Sequence, residues 1–191
     1  TSYAAFSIAD PTRPTPLGQY AIAPGATLQT ANRGTAIAFT DAAALIVFVR
    51  SALGALDISD PTSPRLIAQA FQADGARVIA CKDGVAFVSH HGELRGIDLA
   101  DPANPVGAFR DPDSNYYAQD LSIEGDLFAA ACKGRGVNLY DITNARAPIH
   151  LSTIPPLLAA NQDPSVSSLQ GDRLYIIEGT STKILRVMDI S

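Results

Sequence analysis

The chain repeats one short phrase, and this repetition constrains the fold more than any other feature. The clearest copies are Asp-Ile-Ser-Asp-Pro-Thr-Ser-Pro at 57–64 and Asp-Leu-Ala-Asp-Pro-Ala-Asn-Pro at 98–105. Looser copies begin at Ser7 and Asp141, and the first three residues of another stand at 189–191. The first residues of successive copies are 50, 41, 43 and 48 residues apart. A period of this size indicates an array of similar structural units.

Each interval between copies contains four short runs that are typical of β-strands. After Asp57 the runs lie near 65–71, 77–81, 85–89 and 94–99, and Asp83-Gly84 between two of them is typical of a tight hairpin turn. No stretch shows helical periodicity with caps. Four strands in about 40–50 residues is the proportion of a propeller blade. The predicted fold class is therefore all-β, a β-propeller of four-stranded antiparallel blades.

The Asp-Pro-x-x-Pro part of the phrase predicts a turn between blades. Proline presets φ for a turn, and an aspartate side chain can accept hydrogen bonds from nearby backbone amides. We therefore predict structural roles for Asp10, Asp60 and Asp101 and place each turn between the outermost strand of one blade and the innermost strand of the next. The chain, 1–191, is then a single propeller array. Its predicted blades are about 11–59, 60–100, 101–143 and 144–191, with residues 1–10 as the outer strand of a preceding or closing blade.

Two arrangements fit about four blades and a surplus strand near 4–8. The chain is either a segment of a larger propeller, which we favour, or a four-bladed ring with one five-stranded blade. An open array would expose sheet edges and apolar blade faces. We therefore expect a protein partner, further blades or a second copy to cover them.

The repeats resemble a known family. Gly-Ala-Leu-Asp-Ile-Ser-Asp-Pro-Thr-Ser-Pro at 54–64 and Gly-Val-Asn-Leu-Tyr-Asp-Ile at 136–142 look like the LVIVD repeat, and the resemblance covers nearly the whole chain. The chain departs from the pattern at Asn144-Ala145, where Asp-Pro would be expected. The resemblance implies a β-propeller of the kind often found in bacterial and archaeal cell-surface or secreted proteins. It thus implies an extracytoplasmic location, whether secreted, periplasmic or at the cell surface.

Charge and composition disfavour several classes of partner. The formal net charge is −5 over 191 residues, which argues against nucleic acid as a partner. The longest apolar run, 42–49, is strand-sized, so no transmembrane segment is predicted. Cys81 and Cys132 match no metal motif and are predicted to be buried thiols, with a bridge between neighbouring blades as the alternative. No cofactor is predicted, apart from calcium as described below.

Three long connections are the candidate ligand-binding loops. They lie at 24–34, 110–120 and 155–165 and are predicted to project from one face of the array, and long loops in compact repeats are often functional. The candidate residues on them are Arg33, Asp111, Asp113, Asn115, Tyr116, Tyr117 and Asn161.

One of these loops has the spacing that opens many calcium sites. Asp111, Asp113 and Asn115 alternate, so their side chains could converge on one cation. Position six of such a loop, normally glycine, is Tyr116, and position twelve is Ser122 rather than glutamate. A polar turn is the alternative.

The neighbouring aromatic pair has a different potential use. Tyr116 and Tyr117 could form a flat surface for a peptide or a carbohydrate, because tyrosine offers apolar area with a polar tip. The histidine-containing segment 90–93 is predicted to be a solvated turn, with metal binding as the alternative, and Glu178-Gly179 is predicted to occupy the same turn in a later blade. His150 is expected to be packed or hydrogen-bonded on an inner strand.

These observations favour a non-enzymatic β-propeller that acts as a binding or assembly module. It would be a cell-surface or secreted protein, or a subunit of a larger complex. The alternative is an extracytoplasmic hydrolase or lyase with a loop-built site at the channel mouth, for which no catalytic residue can be assigned. No nucleophile elbow or phosphate-binding loop occurs in the sequence. A purely structural subunit is a third possibility, and it predicts a large apolar surface at the open edges.

Overall fold

The computed structural model describes residues 2–21, 36–40, 43–48, 52–70, 78–90, 92–111, 118–157, 164–179 and 182–191. These residues form seventeen β-strands. In chain order they are β1 (Ser2–Ser7), β2 (Thr15–Ala21), β3 (Ala36–Phe39), β4 (Ala43–Phe48), β5 (Ala52–Asp57), β6 (Arg65–Ala70), β7 (Ile79–Lys82), β8 (Val85–His90), β9 (Glu93–Asp98), β10 (Val106–Arg110), β11 (Ala118–Glu124), β12 (Leu127–Cys132), β13 (Gly136–Asp141), β14 (Ile149–Ile154), β15 (Pro164–Gln170), β16 (Arg173–Glu178) and β17 (Ile184–Asp189). Within these ranges no α-helix is long and apolar enough to span a membrane.

The strands form antiparallel sheets in which neighbours in sequence are neighbours in space. Three sheets have four strands, β3 to β6, β7 to β10 and β11 to β14, while β15 to β17 form a three-stranded sheet and β1 pairs with β2. The first strands β3, β7, β11 and β15 pack beside one another in that order, which makes them the innermost strands. The last strands β10 and β14 are largely exposed and lie outermost. This is the blade arrangement of a β-propeller, and the predicted fold class is confirmed.

The structure places the Asp-Pro turn within a sheet. Residues 60–63 connect β5 to β6, and these two strands are hydrogen-bonded neighbours. The equivalent turns connect β9 to β10 and β13 to β14. The predicted blade boundaries at 11–59, 60–100, 101–143 and 144–191 are therefore wrong by one strand, and β1 is not a single outer strand but one half of a hairpin with β2.

The geometry of the turn explains this difference. The Ser63 N–H donates to the Asp60 carbonyl at 3.0 Å, so the chain reverses within four residues and the flanking strands pair side by side. Passage from the outer strand of one sheet to the inner strand of the next crosses the width of a sheet. The long connections make that passage, for example the one between β10 and β11.

The aspartates of the phrase hold these turns by hydrogen bonds to residues two positions later. Asp60 Oδ1 accepts the Thr62 N–H at 2.9 Å and the Thr62 hydroxyl at 2.6 Å, and Asp10 binds Thr12 in the same way. The predicted structural role of Asp10, Asp60 and Asp101 is confirmed, since Asp101 accepts the Ala103 N–H at 3.0 Å. We call Asp10, Asp57, Asp60 and Asp141 the turn aspartates. In each of them a hydroxyl and a backbone N–H lower the pKa of the carboxyl.

Apolar side chains fill the space between successive sheets. Between the second and third complete sheets, Phe87 stacks on Phe128 with ring centroids 4.8 Å apart, and both side chains are fully buried. The other face of the third sheet carries Val137 and Leu139, which pack with Leu174 and neighbouring residues of the last sheet. A further buried cluster, which includes Ala55 and Val88, joins the first complete sheet to the second.

A ladder of hydrogen bonds joins the innermost strands β11 and β15. The side chains of alternate residues on β11 accept backbone N–H groups from the next sheet at a constant offset of 47 residues. The pairs are Asp120 with Ser167 at 2.9 Å, Ser122 with Leu169 at 2.9 Å and Glu124 with Gly171 at 2.7 Å. The burial of Asp120 raises the pKa of its carboxyl. The ladder fixes the register of one sheet against the next.

Ion pairs connect adjacent sheets at the end that carries the Asp-Pro turns. Lys82 Nζ lies 2.6 Å from Asp126 Oδ1 of the next sheet, and Arg146 Nε lies 2.6 Å from Asp98 Oδ2 of the preceding one. This end of the array is thus held by hydrogen bonds within each turn and by ion pairs between sheets.

Candidate functional site

The candidate site lies at the opposite end of the sheets, which we call the loop face. The connections between sheets start there, after Arg110 and Ile154, and so do the hairpins between the second and third strands of each sheet. The three predicted ligand-binding loops are such connections. Because β2, β10 and β14 all end at this face, the three connections leave the sheets on one side of the array, and the course of the loops themselves stays a prediction.

One of the seven predicted site residues belongs to the described part of the chain. Asp111 follows β10 and is buried. The other six lie outside the described residues, and their roles stay predictions; they are Arg33, Asp113, Asn115, Tyr116, Tyr117 and Asn161.

Asp111 anchors the start of its connection to the next sheet. Its Oδ2 accepts a hydrogen bond of 2.6 Å from the Tyr140 hydroxyl, and its N–H donates to the Leu94 carbonyl at 3.0 Å. Tyr140 is buried, with its ring 5.5 Å from that of Phe128 and 5.3 Å from that of His150. Asp111 is therefore hydrogen-bonded to its own sheet through its backbone and to the next sheet through its side chain.

The calcium prediction rests on residues of which Asp111 alone is described. Within the described ranges, no group of three or more histidine, cysteine, aspartate or glutamate side chains is placed to hold a metal ion. The carboxylate of Asp111 is directed at the Tyr140 hydroxyl, and this contact suits the alternative of a polar structural turn.

A second carboxylate, Glu93, holds two arginines at the loop face. Arg95 donates to Glu93 Oε2 at 2.8 and 3.0 Å, and Arg110 donates to the two oxygens at 2.5 and 3.0 Å. The hydrogen bonds from Arg110 and then Arg95 lower the pKa of the Glu93 carboxyl to about 2. The side chain is buried rather than solvated, so the prediction of a solvated turn is wrong for Glu93.

A third carboxylate, Glu178, lies beside the equivalent hairpin of the last sheet, at the end of the second strand rather than at the start of the third. It is 1% exposed, accepts a hydrogen bond of 3.1 Å from Arg186 and accepts the Leu157 N–H at 3.2 Å. Leu157 lies in the connection that follows β14. The Glu178 carboxylate is therefore buried beside this hairpin and fixes the start of another connection.

A short polar chain runs beside Tyr140 on the same face of the sheet. His150 Nε2 lies 3.1 Å from Thr153 Oγ1, which donates to Asn138 Oδ1 at 2.7 Å. Asn138 Nδ2 is 3.8 Å from Cys132 Sγ. His150 is hydrogen-bonded as predicted, but its strand β14 is the outer and not an inner strand of its sheet.

The two cysteines are free and belong to different interfaces between sheets. Cys132 is buried, and Cys81 is partly buried in the cluster that joins the first two complete sheets. Burial raises the pKa of each thiol to about 12. The prediction of buried thiols is confirmed for Cys132, and the alternative of a bridge between blades does not hold.

The sequence held a usable signal for only some of these residues. Glu93 and Arg95 are two positions apart on one strand, so an ion pair on a single face could have been foreseen. Glu178 and Arg186 come together only through the register of β16 with β17. Nothing local in the sequence links Asp111 to Tyr140.

The comparisons with known proteins agree on the fold. No protein-family model and no curated protein matches the chain. The COPII outer coat vertex on membranes includes a chain that matches 99% of this one with a TM-score of 0.68 and 15% identity, and this chain covers 53% of it. The β-propeller domain of Myceliophteria thermophila Cps50 (Swd1) matches 82% of this chain with a TM-score of 0.63 and 13% identity, and 53% of that domain is covered.

A designed protein is also similar. The computationally designed Ika4 protein matches 86% of this chain with a TM-score of 0.63 and 11% identity, and 96% of it is covered. At these identities the likeness establishes the β-propeller fold alone. The chain spans about half the length of the coat and Swd1 chains that it matches.

Proposed function

We propose that this protein is a non-enzymatic β-propeller module that binds a protein partner through its loop face. The observation that carries the proposal is the anchoring of the loop connections by buried carboxylates. Asp111, Glu93 and Glu178 each tie the start of a connection, or the strand end before it, to a hydrogen-bonding group of the scaffold. Rigid anchors below variable loops are the usual construction of a recognition surface.

The chemistry of Glu93 and Asp111 favours binding over acid–base catalysis, and Asp120, whose pKa is raised by burial, accepts the Ser167 N–H in the ladder between β11 and β15. A general acid near neutral pH needs a raised pKa. Glu93 is held ionised between two arginines with its pKa lowered to about 2, and Asp111 accepts the Tyr140 hydroxyl. In the part of the loop face that the structure describes, these side chains serve the scaffold. This supports the binding module over the hydrolase or lyase alternative.

The similar structures support an assembly role. One belongs to the COPII outer coat vertex, which is an assembly of proteins on membranes. By analogy of fold, we propose that this chain also acts within a larger protein assembly. The resemblance of its repeats to the LVIVD family leads us to propose a secreted, periplasmic or cell-surface location.

The proposal is tested by replacing the loops while keeping their anchors. Residues 24–34, 112–117 and 158–163 are exchanged for short Gly-Ser linkers, so that Asp111 and Leu157 remain. The control variant carries Thr62→Ala on the opposite end of the array. Both are expressed in the source organism, cross-linked in place and purified under denaturing conditions.

We expect the partner recovered with the unchanged protein to be recovered with the control and lost from the loop variant. Circular dichroism checks that all three proteins keep their β-sheet content. Recovery of the same partner with the loop variant would contradict the proposal. Fractionation of the same cells tests the proposed location, and a cytoplasmic pool alone would contradict it.

A further inference from the structure

The last sheet, β15 to β17, leaves one apolar face uncovered. Val166, Ile177, Leu185 and Val187 lie on this face, and Leu185 and Val187 are 62% and 53% exposed. We propose that this face binds a second copy of the chain, which contributes the uncovered face of its strand β3. The proposal concerns the flat face of a sheet rather than the loops and does not depend on the function proposed above.

The repeat shows what normally covers such a face. The third complete sheet and the last sheet can be compared position by position, with the two-residue turns 125–126 and 171–172 as equivalent points. In this alignment Leu185 occupies the position of Val137, and Val187 occupies that of Leu139. Val137 and Leu139 are 1% and 7% exposed, because the following sheet packs on them. The same positions are therefore buried inside the array and open at its end.

The hydrogen-bond ladder ends at the same face. Ser168 and Gln170 on β15 correspond to Ser122 and Glu124 on β11, whose side chains accept backbone N–H groups of the following sheet. Ser168 and Gln170 are exposed. The face thus offers apolar side chains together with acceptors for the edge of one more innermost strand.

The chain also carries the complementary surface. On β3, Phe39 pairs with Ala44 across the hairpin, just as Leu169 on β15 pairs with Leu174. The two pairs have the same sequence spacing, so Phe39 occupies in its sheet the position that Leu169 occupies in the last sheet. Leu169 is 7% exposed between two sheets, whereas Phe39 is 61% exposed. Ile37 on the same strand is exposed too.

These two faces point to a second copy as the occupant. At the interface between the third complete sheet and the last one, the face that carries Val137 packs against the face that carries Leu169. Among the described residues, the last sheet leaves a face of the Val137 type uncovered and β3 leaves one of the Leu169 type uncovered, and because both are exposed in a single chain they do not cover one another. Contiguous apolar faces of this kind mark interaction sites on soluble proteins. Contact between two different faces is a head-to-tail interface, which closes into a ring or continues as an open chain.

The test compares Leu185→Glu, Phe39→Glu and the control Ile149→Glu in the full chain. Ile149 is 62% exposed on the outer strand β14, so it matches Leu185 in exposure but belongs to neither face. The mass in solution is measured by light scattering after size exclusion and by sedimentation over a range of concentrations. A glutamate buried in an apolar interface without a partner is strongly unfavourable.

We expect the unchanged protein and Ile149→Glu to associate, and each of the other variants to associate at least about tenfold more weakly. A mixture of Leu185→Glu with Phe39→Glu should recover dimers, because each variant keeps one intact face. A monomeric unchanged protein would overturn the proposal. Equal weakening of the association by Ile149→Glu would also overturn it. The proposal would fail as well if Phe39→Glu left the association unchanged, because that result would mean contact between two identical faces.

Discussion

Removing the hydroxyl of Tyr140 should destabilise the protein although it leaves the packing of the ring intact. The hydroxyl donates to Asp111 Oδ2 at 2.6 Å, and both residues are buried. Hydrogen bonds to a charged acceptor contribute about 1.5–3 kcal/mol, and their loss leaves a buried carboxylate with one donor fewer. We therefore expect Tyr140→Phe to lower the free energy of unfolding by about 1.5–3 kcal/mol. For a chain of this size, that corresponds to a decrease in Tm of about 3–12 °C.

A double-mutant cycle isolates this interaction. The free energy of unfolding is measured by urea denaturation for the unchanged protein, Tyr140→Phe, Asp111→Ala and the double variant. Tyr175→Phe is the control, because Tyr175 is only half-buried on β16. We expect a coupling energy of at least about 1 kcal/mol between Tyr140 and Asp111, and a change of less than about 0.5 kcal/mol for the control.

Two results would refute this reasoning. If Tyr140→Phe is as stable as the unchanged protein, the hydrogen bond does not contribute to folding. If both single variants are destabilised but their effects simply add, the two residues act separately and Asp111 is not anchored by Tyr140. Where the coupling is found, the same variant should also weaken binding of a partner at the loop face, since the connection after Asp111 loses its anchor.

Three further predictions concern the scaffold. Gly136→Ala should lower the free energy of unfolding by about 3 kcal/mol or more, because φ is 99° at Gly136 and a Cβ atom would overlap the Ile154 carbonyl. Gly134→Ala in the neighbouring turn should lower it by only about 1 kcal/mol. Urea denaturation of both variants checks this difference. Phe128→Ala should cost about 3–5 kcal/mol, because a fully buried ring and its stacking contact are lost, and a change below about 1 kcal/mol would contradict the packing between sheets. The folded state should lose stability in acid, because the pKa of Glu93 is lowered from 4.5 to about 2 and the pKa values of the turn aspartates are lowered too. The contribution of Glu93 to the free energy of unfolding is complete above about pH 4.5 and is lost as the pH falls towards 2. A Tm that stays constant from pH 5 to pH 2 would contradict this prediction.

The strands and turns were predictable because local residues determine them. Asp83 and Gly84 have φ values of 48° and 74°, as a tight hairpin requires, and the sequence predicted a turn there. The grouping of strands into sheets was not predictable from the phrase alone. A turn at Asp60-Pro61 is equally compatible with a link between blades and with a hairpin inside one. Only the pairing of β5 with β6 decides between them.

The candidate site was less accessible to prediction than the fold. Polar composition and length identified the connections, and the strands that precede them do end on one side of the array. The anchors beneath them were missed, because burial of a carboxylate depends on partners brought by other strands. Glu178 follows an apolar strand and precedes a glycine, so its local sequence is that of an exposed turn. Its arginine partner comes from the next strand, eight residues later.

The pairing of sequence neighbours within each sheet has a consequence for how the chain folds. In a meander, every strand finds its partner a few residues away, so the entropy lost in closing each loop is small. Each sheet can therefore begin to form by itself, and the contacts between sheets then make the array cooperative. Protection from hydrogen exchange should accordingly be greatest in β8, β9, β12 and β13, whose two sheets are covered on both faces. It should fall towards β17, so that unfolding begins at the end of the array and passes inward sheet by sheet.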